Sequence, residues 1–164
     1  SHARIVLKMN ALVDARCIRA LYEASQAGVR VDLAVRGICC LRPGVPDISD
    51  NITVVSVVGR FLEHSRIYGF ERGDEREFWI GSPDLMPRNL DTRVELLTPL
   101  LDETLRADLV DTLDRCFSDN TNAWVLDPEG EWTRRTPDGE PRNAQRELMA
   151  WHAARAAESA AGTP

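Results

Sequence analysis

Lysine is all but missing from this chain. Of 20 cationic side chains, 19 are arginine and Lys8 is the exception. A surplus of positive charge is missing too. The formal net charge is −6, which argues against a general nucleic-acid-binding surface. No apolar run approaches the length of a membrane span, and no secretory leader is visible. No C-x-x-C pair occurs among Cys17, Cys39, Cys40 and Cys116, so zinc and dithiol redox chemistry lack their usual spacing. Buried free thiols are expected instead. Internal repeats are absent. Histidine is scarce, with only His2, His64 and His152, and the first and last read as incidental.

What is present suits one folded unit. The 164 residues are enough for a core, and 43% apolar with 28% charged residues is ordinary for a globular domain. Ser1-His2 reads as a cloning remnant, and the chain is expected to be a fragment of a longer protein. Residues 4–9 read as a buried strand. Asp14 can cap a helix with Ile18, Leu21 and Tyr22 on one face, and Gly28 can end it. Val29, Val31, Leu33 and Val35 then alternate with polar or small residues, which is a strand period. The three pieces predict a βαβ unit, with Arg36 at the carboxyl end of its second strand, where open α/β sheets bind ligands.

Further strands are predicted over 52–58, 64–70, 77–82 and 92–98, with a hairpin at Arg72-Gly73-Asp74. Leu105, Leu109, Leu113 and Phe117 share one helical face behind a cap at Asp102. Short strands around 124–126 and 132–134 and an alanine-rich helix over 143–160 follow. Residues 3–118 are expected to form the catalytic unit, and 119–164 an extension whose helix packs on it. The pairs Arg134-Arg135 and Arg142-Asn143 read as exposed charges.

The chemistry gathers in His64-Ser65-Arg66, Gly81-Ser82, Arg88-Asn89 and Arg93-Val94-Glu95. Alternation would put His64, Arg66 and Tyr68 on one strand face, and Arg93 and Glu95 on one face of another. If those strands are neighbours, an imidazole, two guanidiniums and a carboxylate converge. Phosphoryl transfer needs such a set, because cations stabilise charge spread over the equatorial oxygens. A histidine can attack phosphorus or protonate the leaving oxygen. A carboxylate can fix the histidine tautomer. Guanidinium forks grip phosphate oxygens in pairs. A lone histidine of this kind is usually only a hydrogen-bonded strand residue; the ordered motifs around it argue otherwise.

His64-x-Arg66 resembles the H-x-K half-motif of phospholipase-D-like phosphotransferases, whose sites need two such halves. Only one is present. Three longer blocks narrow the resemblance: residues 36–44 (R-G-I-C-C-L-R-P-G), 57–68 (V-V-G-R-F-L-E-H-S-R-I-Y) and 86–95 (M-P-R-N-L-D-T-R-V-E). With Lys8 to Asp14 (K-M-N-A-L-V-D), they resemble the C-terminal domain of bacterial polyphosphate kinase, from about Ala3 to at least Phe117. Gly81-Ser82-Pro83-Asp84-Leu85 matches more loosely, at Pro83 and Leu85.

The resemblance implies an α/β fold, a phospholipase-D-like sandwich in which helices flank a mixed β-sheet. It implies reversible transfer of the terminal phosphate of ATP to inorganic polyphosphate through a phosphohistidine. That nucleophilic histidine belongs to a sister domain outside this chain, as do a nucleotide-site tyrosine and the metal-contacting arginines. Carried over by motif, His64 is the catalytic histidine of this half, and Arg36, Arg93, Arg66, Arg88 and Asn89 bind ATP or polyphosphate. Glu95 and Ser82 support them. Mg2+ would come with ATP, with its ligands mainly elsewhere and none dedicated here. The partners implied are ATP or ADP, polyphosphate, the remaining domains and a homo-oligomer, without nucleic acid or a transmembrane segment. The place implied is the cytoplasm, with the full-length enzyme peripheral at the inner membrane as an option. On this reading the isolated fragment is inactive. A homodimeric phospholipase-D-like phosphodiesterase and a non-catalytic polyphosphate- or nucleotide-binding module are the alternatives.

Overall fold

The computed structural model describes residues 3–161; His2 and the last three residues of the C-terminal extension lie outside them. β1 (Ala3–Met9), α1 (Ala15–Gln26) and β2 (Arg30–Val35) make the expected βαβ unit, with its strands parallel. Asp14 caps α1 by accepting the backbone N–H of Arg16 and Cys17, and Gly28 follows at φ 82°, the left-handed region where a Cβ is strained. β3 (Ile52–Val57) continues the parallel set beside β2.

β4 (Arg66–Arg72) and β5 (Glu75–Gly81) form the predicted hairpin. β6 (Leu97–Pro99), α2 (Glu103–Ser118), β7 (Ala123–Leu126), β8 (Trp132–Arg134) and α3 (Ala144–Ala161) complete the chain. All eight strands belong to one mixed sheet in the order β6-β5-β4-β1-β2-β3-β7-β8.

Period-two side chains split the core between the two faces of the sheet. Leu7, Met9, Leu33, Val35 and Val54 pack with Ile18 and Leu21 of α1. Val6, Ile67 and Phe78 pack with Leu113 of α2 on the other side. Cys116 of α2 meets Ala144 of α3, so both C-terminal helices cover that second face. The result is the α/β sandwich with flanking helices.

Two sequence expectations are corrected. β4 begins at Arg66, so His64 lies in the loop before the strand and does not share its alternation. The cause is the end of β1. Its pairing with β4 stops at Lys8 opposite Ile67, because Asn10 and Ala11 turn away to donate their N–H groups to Asp84 at 2.7 and 3.3 Å. Nor is 92–98 one strand. Arg88–Thr92 is a π-helical turn, residues 93–96 are loop, and only Leu97–Pro99 joins the sheet, next to β5 and one strand away from β4.

Two smaller readings also change. Arg135 is not a free surface charge: its Nη1 donates to the carbonyls of Phe117 (2.6 Å) and Asp119 (3.0 Å), capping the end of α2. The thiols are not uniformly buried. Cys116 is buried, Cys17 and Cys39 are partly covered, and Cys40 is exposed.

Candidate active site

β1, β2 and β3 run the same way, so their carboxyl ends share one edge of the sandwich. β4 runs antiparallel to β1 and begins at that edge; β5, antiparallel to β4, ends there. Topology therefore gathers Arg36 after β2, His64 before β4, and Ser82 and Asp84 after β5.

Ser82, Asn89 and Glu95 do converge. Asn89 Nδ2 donates to Glu95 Oε1 at 2.6 Å, and the Ser82 hydroxyl donates to Glu95 Oε2. Ser82 also binds the loop backbone, its N–H donating to Leu96 O and its Oγ accepting the Leu96 N–H, both at 3.0 Å. The approach is so close that a Cβ on Gly81 would stand 2.5 Å from Leu96 O. The Ser82 hydroxyl first, and the Asn89 amide second, hold the Glu95 carboxyl below the usual glutamate range. This carboxylate therefore staples the loop carrying Arg88 and Arg93; it does not touch His64.

Arg66 is held on protein acceptors. Its Nε and Nη2 reach Asp84 at 3.3 and 3.1 Å, and its Nη1 donates to the His64 carbonyl at 2.6 Å. Three of five guanidinium N–H groups are engaged, and two remain for a phosphate. Burial alone would raise the Asp84 pKa. The hydrogen bonds from Arg66 and from the Asn10 N–H outweigh it, so the carboxyl lies below its ordinary range. Tyr68 fixes the same loop by donating its hydroxyl to Pro83 O at 2.6 Å.

Four expected site residues keep open side chains. Among the described residues, no hydrogen bond or ion pair engages the side chains of Arg36, His64, Arg88 or Arg93. His64, Arg88 and Arg93 are exposed, and Arg36 is half-buried. Arg36 Nη1 is itself buried without a partner, and the side chain opens on a cavity of about 300 Å³ lined by Ser56, Val58, Trp124 and Trp132. A buried, unpaired guanidinium nitrogen is costly unless a ligand completes it. Three guanidiniums and an imidazole are thus left without protein partners among the described residues.

Sequence reasoning missed Asp84, and also Lys8 and Gln145, which bind residues near His64: Lys8 reaches Glu63 and Ser65, and Gln145 reaches Phe61 and Glu63. Asp84 stood inside the G-S-P-D-L block, and its burial beside Arg66 is a tertiary fact. Lys8 was visible as the sole lysine in a buried strand, a position that demands an acidic partner. Gln145 carried no signal that separates it from any helical glutamine.

The sandwich carrying a single H-x-R half-motif at its sheet edge is of the phospholipase-D-like class. Residues 1–145 match the family profile described as "Polyphosphate kinase C-terminal domain 2", and the chain belongs to that family. It is 51% identical over 149 residues to polyphosphate kinase 1 of Chlorobaculum tepidum, covering 91% of this chain and 21% of that protein. It is 54% identical over 135 residues to the polyphosphate kinase of Thermosynechococcus vestitus, covering 82% and 18%. The crystal structure of polyphosphate kinase from Porphyromonas gingivalis superposes with TM-score 0.89 at 42% identity, covering 93% of this chain and 24% of that one. The chain therefore spans about a fifth of the length of its curated relatives. No helix among the described residues is long and apolar enough to cross a membrane.

Proposed function

We propose that this chain supplies one half of a phosphoryl-transfer site working between ATP and inorganic polyphosphate, as the C-terminal catalytic domain of a polyphosphate kinase. The observation that carries this reading is the set of unpartnered groups at one sheet edge, above all the buried Arg36 Nη1.

In this reading Arg36 and Arg93 grip phosphate oxygens, with Arg88 beside them, while Asn89 and Glu95 hold the loop that presents the two latter arginines. The nucleophilic histidine comes from the sister domain. Its ring nitrogen bonds to the terminal phosphorus of ATP, the bond to the bridging oxygen breaks, and ADP leaves. The phosphohistidine then passes its phosphoryl group to the end oxygen of a polyphosphate chain. His64 faces the moving group from this side, stabilising its charge or giving a proton to the leaving oxygen. Arg66 braces His64 through its carbonyl.

Mg2+ has no cage here. The carboxylates at the site, Asp84 and Glu95, are turned to Arg66, Ser82 and Asn89, and the open groups are cationic or imidazole. Among the described residues no group of three or more His, Cys, Asp or Glu is placed to hold a metal. These residues do not fit a protein-held divalent ion.

A phosphodiesterase of the phospholipase D type is the weaker reading, because the profile matched over residues 1–145 and the relatives at about 50% identity are those of polyphosphate kinases. We place the full-length enzyme in the cytoplasm, where ATP is made, as an oligomer. Exposed Val58, Phe61, Leu62, Val94 and Leu96 offer an apolar rim for the sister domain.

The test is ATP-dependent polyphosphate synthesis by the full-length enzyme carrying His64→Ala or Arg36→Ala. The expected loss is about a hundredfold or more, the scale of removing one preorganised transition-state contact. Undiminished synthesis in either variant removes that residue from the mechanism.

A further inference from the structure

His64 sits in a loop without strand pairing, yet the residues on both sides of it are pinned. Lys8, 7% exposed on the central strand β1, reaches Glu63 Oε2 at 2.8 Å and the Ser65 hydroxyl at 2.9 Å. Both neighbours of His64 are thus tied to one ammonium, and His64 itself is left exposed.

A second anchor comes from the far end of the chain. Gln145, 5% exposed near the start of α3, pairs with the backbone of Phe61 through both ends of its amide. Its Oε1 accepts the Phe61 N–H at 2.9 Å, and its Nε2 donates to Phe61 O at 3.0 Å and to Glu63 Oε1 at 2.8 Å. The amide thereby supplies the rung that an adjacent strand would have given. Gly59 leaves it room, since a Cβ there would lie 2.6 Å from Gln145 Oε1. The helix is fixed in turn by Asp119, fully buried. One Asp119 oxygen accepts three N–H groups of residues 121–123, and the other accepts the Ala144 N–H at 2.8 Å.

We infer that Lys8 and Gln145 are positioning residues for His64, and that the segment after α2 acts as a strut joining the sheet, α3 and the His64 loop. The inference rests on the reading that His64 acts at the phosphoryl group. Neither Lys8 nor Gln145 is placed to touch substrate: Lys8 is covered beneath the loop, and both ends of the Gln145 amide are engaged. Their effect is carried by where the imidazole stands. A displacement of about 1 Å is enough to cost a hundredfold in a reaction that depends on alignment.

The experiment compares Gln145→Leu, His64→Ala and the double variant in the full-length enzyme. Gln145→Leu keeps the apolar stem and removes all three hydrogen bonds. The expected result is kcat reduced tenfold or more with KM for ATP within twofold, and a double variant no slower than His64→Ala alone. Lys8→Met, which strands the half-buried Glu63 charge, risks misfolding, so Lys8→Arg serves as its check and should regain at least half of wild-type kcat. A Gln145→Leu enzyme with kcat within twofold of wild type overturns the inference. So does a loss that multiplies on top of His64→Ala. If His64→Ala itself leaves synthesis intact, the phosphoryl reading of His64 has failed, and placement is then read directly. In the histidine-labelled 164-residue chain, the His64 ring signals should broaden or split in Gln145→Leu; unchanged signals overturn the positioning role.

Discussion

Arg66 Nη1 donates to the carbonyl oxygen of His64 at 2.6 Å while the same guanidinium clasps Asp84 with its other two nitrogens. The second basic residue of the half-motif is thereby a brace for the first. Asp84 in turn accepts the N–H groups of Asn10 and Ala11 where β1 leaves the sheet. One buried carboxylate ties the end of the central strand to the backbone of the candidate catalytic histidine.

Asp84→Ala is expected to destabilise the chain by about 3 kcal/mol, the scale of breaking one side of a covered ion pair. It strands Arg66 and two backbone donors at once. Urea unfolding measures it, and a loss below about 0.5 kcal/mol contradicts the role assigned to this residue.

Acid should act through the same group. The Asp84 pKa in the folded chain lies below its unfolded value, so folding is favoured by its ionised form. That stabilisation is fully present above the ordinary aspartate range, near about 4, and is lost as pH falls through the lower folded value. Glu95, also held low, adds in the same direction. Tm between pH 7 and pH 3 should fall more steeply for wild type than for Asp84→Asn; parallel curves contradict this.

The thiols should separate by reactivity. Cys40 is exposed. Burial pushes Cys116 up to about 12 and Cys39 up to about 11, so neither forms thiolate near neutral pH. Iodoacetamide at pH 8 followed by peptide mapping should label Cys40 first and leave Cys116 unmodified until the chain unfolds. Early labelling of Cys116 contradicts the packing of α2 against α3.

Asp119→Ala should cost about 2–4 kcal/mol, because four N–H groups, two buried and two partly covered, lose their acceptor. Hydrogen exchange should then rise in both 119–123 and the first turn of α3, and in the Phe61 amide through Gln145. Unchanged protection at Phe61 contradicts the strut.

Much of this was legible in the residues. Asp14, Gly28 and the alternation from Val29 specify the βαβ unit locally, and Asp102 with the leucine stripe specifies α2. The hairpin was readable from Gly73. The site was half legible. His64 and the arginines were found by motif, but the strand drawn through His64 was wrong, because the end of β1's pairing depends on Asp84, distant in sequence. Residues 92–98 alternate like a strand, yet the Asn89–Glu95 bond rolls their start into a π turn. The Lys8–Glu63 and Glu63–Gln145 contacts join residues 55 and 82 apart along the chain, and no local pattern encodes them.

Whether Arg36 anchors an anion site is tested most directly by calorimetric titration of the 164-residue chain with inorganic polyphosphate. With a net charge of −6, the chain has little reason to bind a polyanion nonspecifically. Wild type is expected to bind, and Arg36→Ala to bind at least tenfold more weakly. Equal affinity in the two proteins would contradict an anion site anchored by Arg36.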